Sequence, residues 1–177
     1  MARIPLVTDR TGLDERGAAV FDRIVESRGS LIPPFQVMLH VPDLAETVAD
    51  VGRVIRFQAG LPPADRELVI LAVGRALDCP FIWESHLLHA RKAGVRPEAV
   101  AALAQAGPDV EQAGQSLEPL ESALLALVGQ LIHDAVVSDE VFQVLHGEFG
   151  TAGFVNLVVV VGYYTMLGFA MSACRAC

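Results

Sequence analysis

Apolar residues recur along this chain at three- and four-residue steps, the period of a helix with one buried face. Val20, Phe21, Ile24 and Val25 form such a stripe and predict a helix over 13–27 that ends near Gly29. Leu44, Val48, Val51 and Ile55 form the next, over 43–59. Between the two, Pro33, Pro34 and Pro42 read as a connecting loop. The clearest start signal is Leu61-Pro62-Pro63-Ala64-Asp65-Arg66-Glu67. Proline in a first turn has no amide hydrogen to lose, and Asp65 and Glu67 complement the positive end of the helix dipole. That helix should reach Leu77 or Asp78. Pro80 resets the chain, and a further helix runs to Ala93, with Arg91 and Lys92 in its last turn and Gly94 beyond.

The remainder continues in the same way. Pro97 opens a short helix to about Gln105, and Gly107, Pro108 and Gly114 mark a polar loop. Glu118 to His133 carries another apolar stripe, and Ser138 caps a helix to about Phe149. The final segment contains the β-branched run Val158 to Val161, which permits a strand locally, but its length and helical surroundings favour helix. The expected class is all-α: a single domain over 1–177, a bundle of about seven or eight helices, with its informative core at 61–94.

Composition narrows the partners. A chain of 177 residues can bury roughly 70% of its unfolded surface, enough to fold without a disulfide or metal staple. Thirteen basic against twenty-one acidic residues leave a net charge of −8, which repels phosphate backbones and argues against nucleic acid. A hydrophobic content of 53% and a mean hydropathy of +0.44 are high for a soluble monomer. The chain should therefore bury extra surface, against copies of itself or in a bilayer. Thr151 to Cys174 holds no charged residue and is long enough to span a bilayer as a helix. Asn156, Gly162, Tyr163, Tyr164, Thr165, Gly168 and Ser172 interrupt it, however, so a buried core helix shared with an oligomer interface is the preferred reading, with no membrane partner. Arg3, Asp9, Arg10 and Asp14 leave no apolar stretch for a signal peptide, and cytoplasm is the default compartment. The three cysteines, at 79, 174 and 177, show no disulfide framework. Cys174 and Cys177 form a C-x-x-C at the chain's last residue, a weak candidate for a redox or metal site.

Chemistry concentrates in Glu67 to Gly94, ELVILAVGRALDCPFIWESHLLHARKAG. Two helices joined at Asp78-Cys79-Pro80 should pack as a hairpin. On the second, Cys79, Ile82, Trp83, His86 and Ala90 fall on one side at about 100° per residue. Glu84 lies about 200° from His86 on that wheel, so an acid partner for His86 must come from elsewhere, and Glu67 on the preceding helix is the natural candidate. His86 and His89 make an H-x-x-H that could bind metal, but no E-x-x-H or H-E-x-x-H motif supports it, and no metal is expected.

Glu67, then Cys79, then His86, within R-E-L-x-I-L-x-V…C-P-F-I-W-E-S-H…A-R-K-A-G-V, resembles the carboxymuconolactone decarboxylase and alkylhydroperoxidase D family. Similarity extends to A-R-I-P-L-V near the start and G-Y-Y-T-M-L near the end, so it covers most of the chain. The resemblance implies an all-helical fold assembling as a dimer, trimer or hexamer through its apolar helices; a small-molecule substrate and no cofactor are the expectation for its site. Peroxidase members use C-x-x-C-x-x-x-H, in which one thiolate attacks a peroxide, the other resolves the product, and a histidine and upstream glutamate relay the proton. Here Cys79, His86 and Glu67 match, but Ile82 occupies the second cysteine's position. Many long members carry a glutamate there, in a Y-E-W triplet; this chain has Phe81-Ile82-Trp83.

Three functions follow from this departure. The leading expectation is an acid–base decarboxylase or lyase for a small organic acid or lactone, with Glu67 orienting His86, which moves the proton. The second is a peroxidase using Cys79, whose place at a helix N-terminus favours the thiolate, resolved by an external thiol or by Cys174–Cys177. The third is a non-catalytic helical oligomer that binds a small apolar ligand. Glu67, Cys79 and His86 are the candidate catalytic residues, and Trp83, Ile82, Phe81 and Tyr163 the candidates for a substrate pocket. For Tyr163 and Tyr164 core packing is the plainer reading. No arginine in the motif can be placed as a carboxylate anchor, although Arg66, Arg75 and Arg91 are near in sequence.

Overall fold

A computed structural model describes residues 2–176. Helix makes up 74% of the structure, with no strand among the described residues, and the β-branched run Val158 to Val161 is helical. Among the described residues nine helices run in order: α1 Glu15–Arg28, α2 Pro33–Met38, α3 Pro42–Phe57, α4 Pro63–Ala76, α5 Pro80–Ala93, α6 Pro97–Ala106, α7 Val110–Gly114, α8 Pro119–His133 and α9 Asp139–Cys174. Six of these starts carry proline at the first or second position, where its missing amide costs nothing. Two of the nine correct the sequence reading. Pro33 and Pro34, read as loop, begin α2, and the polar stretch around Gly114 contains α7, capped by Asp109 through Gln112 N at 3.1 Å.

The chain clusters into two compact units, 2–58 with 166–176, and Ala59–Thr165. In the first, α3 packs against α1 and α2 over Val20, Ile24, Phe35, Val48 and Ile55. Arg16 and Arg23 of α1 meet Asp43, Glu46 and Asp50 of α3 in an ion-pair network along the outside. These side chains are mostly solvated, so the network orients the helices more than it stabilises them. In the same unit the Arg3 N–H donates to the Cys174 carbonyl at 2.8 Å.

In the second unit α4 is the central helix, buried without a break from Glu67 to Gly74. A helix apolar all round has no solvent face and must be enclosed; α5, α6, α7 and α8 all pack on it. Two arginines and a cap hold this ring together. Arg75 donates to the Leu103 and Ala104 carbonyls at the end of α6 (3.2 and 3.3 Å), and Arg96 grips Glu121 with two nitrogens at 2.9 and 2.6 Å. Glu118 and Glu121 form a reciprocal capping box at the start of α8.

The final helix is broken once. Gly150 has φ 65° and ψ −178°, a combination open essentially to glycine alone, so the axis changes direction there. Beyond the break Asn156 Nδ2 donates to the Ala59 carbonyl at 2.6 Å. Asp139–Cys174 is also long and apolar enough to cross a membrane, and 44% of its most apolar stretch is buried within the fold.

Candidate active site

The α4–α5 hairpin builds the site. Its turn is a Schellman motif: the Cys79 N–H bonds the Gly74 carbonyl at 2.9 Å and the Asp78 N–H bonds that of Arg75 at 3.0 Å. Asp78 takes the left-handed conformation this needs, with φ 45°, which aspartate tolerates better than most residues. Gly74 has a second duty. A Cβ there would sit 3.0 Å from both Ile82 Cγ2 and the Trp83 backbone nitrogen, so only glycine lets the two helices approach this closely. That approach sets which α5 side chains reach α4.

One pair results directly. His86 Nδ1 lies 2.8 Å from Glu67 Oε2, with side chains 15% and 8% exposed. On the other carboxylate oxygen, Arg66 Nη2 approaches Oε1 at 3.3 Å, from a side chain 17% exposed. Burial pushes the Glu67 carboxyl up, but the hydrogen bond from His86, with the positive charges of His86 and Arg66, outweighs it and holds the carboxyl below its ordinary value. Glu67 is therefore ionised near neutrality and can only accept. His86 must then carry its proton on Nδ1, which leaves Nε2 as the basic nitrogen.

Other rings fix the imidazole further. Tyr164 of α9, itself buried, meets His86 edge to face, with centroids 5.1 Å apart and planes at 90°. Tyr163 meets Tyr164 in the same manner at 5.3 Å, so the tyrosine placed against His86 is the second of the two. His89, one turn along α5, stands with its ring centroid 5.6 Å from that of His86.

The remaining residues singled out from sequence lie around this pair in different roles. Cys79 is the N-cap residue of α5 and is 4% exposed. Ile82 is 2% exposed and packs on Gly74, inside the helix–helix contact. Trp83 lies under the Arg75 guanidinium, 5.1 Å from the ring centre. Phe81 occupies the first turn of α5, where its carbonyl accepts from Ser85 Oγ at 2.6 Å. Glu84 is exposed. Cys174 belongs to the first unit, and Cys177 lies outside the described residues. No group of three or more metal-ligating side chains occurs among the described residues. Arg66 and Tyr164 are the site neighbours that sequence did not assign. Arg66 adjoins Glu67 in the chain, which was the available signal; Tyr164 had none beyond its apolar helix.

Fold and site together define an all-helical protein with a buried carboxylate–imidazole pair held across a two-helix hairpin. Residues 42–121, from the start of α3 into the first turn of α8, match the family model described as Carboxymuconolactone decarboxylase family, and this segment is similar to that family. It contains Glu67, Cys79, His86 and His89 but ends well before Tyr164. No curated protein matches the chain.

Proposed function

We propose that this protein is an acid–base enzyme that decarboxylates, or otherwise moves a proton on, a small organic acid or lactone. The carrying observation is the 2.8 Å contact between His86 Nδ1 and Glu67 Oε2 in a largely buried setting. An ionised carboxylate on Nδ1 fixes tautomer and orientation and stabilises the imidazolium that forms when Nε2 takes a proton. In a decarboxylation the C–C bond to the carboxylate breaks, CO2 leaves, and the electron pair remains on carbon. That carbon then takes a proton from imidazolium Nε2, and Glu67 stays ionised throughout. The burial of the pair, with side chains 15% and 8% exposed, favours loss of charge from a substrate carboxylate. The test is a panel of β-keto and unsaturated carboxylic acids and their lactones, read by CO2 release and product analysis. Turnover that His86→Ala and Glu67→Gln abolish supports the reading; an accepted substrate that both variants turn over normally sinks it.

A second reading, a peroxidase, rests on Cys79, the N-cap residue of the helix that carries His86. Against it, the thiol is buried and Ile82 fills the place of a local resolving cysteine. Intact mass of the reduced protein with cumene hydroperoxide, beside Cys79→Ser, separates the two: rapid Cys79-dependent gain of one oxygen, or loss of two hydrogens as a disulfide forms and the peroxide is reduced, favours a peroxidase. We also propose that copies of the chain associate. The supporting observation is the set of exposed apolar side chains on α3, Leu44, Val51, Val54 and Phe57, with Val155 and Val159 on α9. A monomeric mass by light scattering across the micromolar range counts against it.

A further inference from the structure

An acid–base residue that gives a proton to product at each turnover has to recover one from water before the next. His86 is poorly placed to do so alone. Its Nδ1 is occupied by Glu67, Arg66 stands behind that carboxylate, and the buried ring of Tyr164 covers another side. On its own helix, a second imidazole stands beside it and reaches solvent. His89 follows at i+3, on the same face, and is exposed, with its ring centroid 5.6 Å from that of His86 and tilted by 48°. That separation is one a direct hydrogen bond or one bridging water can span. Imidazole is the side chain whose charge change ordinarily falls between pH 5 and 8, so it both accepts and releases a proton in water near neutrality.

We propose that His89 is the proton shuttle of this site, passing protons between solvent and His86. The inference rests on the reading of His86 as the proton-carrying residue. The balance is simple. When a substrate carbon takes the Nε2 proton, His86 becomes neutral; protonated His89 then gives up one proton to His86 and regains one from water or buffer. Over one turnover the substrate carboxylate plus one proton become product plus CO2, and both histidines return to their starting state. Glu67 and Arg66 from α4 and Tyr164 from α9 hold the inner ring and do not exchange with solvent in this scheme.

The test needs no substrate. The exchange with water of the proton on His86 Nε2, the nitrogen not held by Glu67, is measured by nitrogen-15 NMR on the full chain, as a function of imidazole concentration. His89→Gln, an exposed and polar replacement, should slow exchange by about tenfold or more in weak buffer, and added imidazole should restore it. Glu84→Gln, exposed elsewhere on α5, should change nothing. Exchange in His89→Gln equal to wild type overturns the proposal. So does slowed exchange that imidazole cannot restore, since that marks a structural role. If His89→Gln behaves as expected while His86→Ala leaves turnover intact, the enzymatic reading fails and the shuttle contact stands.

Discussion

Replacing Glu67 by glutamine tests the site at its most constrained point. The two side chains are nearly the same size, so the change removes charge and leaves volume. Glu67 accepts from His86 at 2.8 Å on one oxygen and from Arg66 at 3.3 Å on the other. A glutamine keeps one acceptor and turns a donor toward the other partner. If the amide nitrogen faces His86, the imidazole can accept it only by moving its proton to Nε2, the opposite tautomer. Hydrogen bonds to charged groups contribute about 1.5–3 kcal/mol each, and part of this pair survives, so a loss of about 2 kcal/mol is expected. For a chain of this size that lowers Tm by roughly 4–8 °C at pH 7. Catalysis suffers more, because the basic nitrogen is now protonated; a fall in kcat of about 100-fold or more follows.

The pH dependence adds a second readout. Glu67 is held below its ordinary value of 4.5 in the folded state. Its stabilising contribution is thus fully present above pH 4.5 and is lost as pH falls through the folded value. The Tm gap between wild type and Glu67→Gln should be widest near neutrality and close below pH 4.5, read by thermal melts from pH 7 to pH 3. A gap that stays constant across this range, or no gap at pH 7, refutes the reasoning.

Gly74→Ala should destabilise by about 1–3 kcal/mol, because the new methyl meets Ile82 and backbone at 3.0 Å; a wild-type Tm would show that the hairpin is looser than described. At Gly150, alanine should cost about 1–3 kcal/mol through its disallowed backbone angles, seen in chemical denaturation as a lower midpoint with unchanged slope. Tyr164→Phe should retain kcat on any accepted substrate, since the ring edge persists. Tyr164→Leu should lower kcat by about tenfold with little change in KM, as expected of a residue that orients the base; equal effects of the two would assign the role to the hydroxyl instead.

Much of this architecture is legible in the sequence because its signals are local. Pro80 at the start and Gly94 after the end bracket α5 as read, and the period-3.6 stripes locate α1, α3 and α8 within a few residues. The helices missed, α2 and α7, span only six and five residues, too short for periodicity to accumulate; prolines and glycines then read as loop. The Glu67–His86 contact is foreshadowed by helix phase, since Glu84 points away from His86 and leaves the preceding helix as the source of an acid. The choice between Tyr163 and Tyr164 is not. Adjacent residues differ by about 100° on a helix, and a helix apolar on nearly every side offers no phase to fix which one turns toward the histidine.

The separations between these residues carry a consequence for how the protein is made. Glu67 and His86 lie 19 positions apart in the chain, whereas Tyr164 lies 78 positions beyond His86. Closing a short loop costs less entropy than a long one and occurs sooner. The hairpin with its carboxylate–imidazole pair can therefore assemble while the last third of the chain is still unstructured, or still being synthesised, and the tyrosine arrives onto a pair already formed. Pulsed hydrogen exchange during refolding should show α4 and α5 amides protected before those of α9; simultaneous protection would contradict that order.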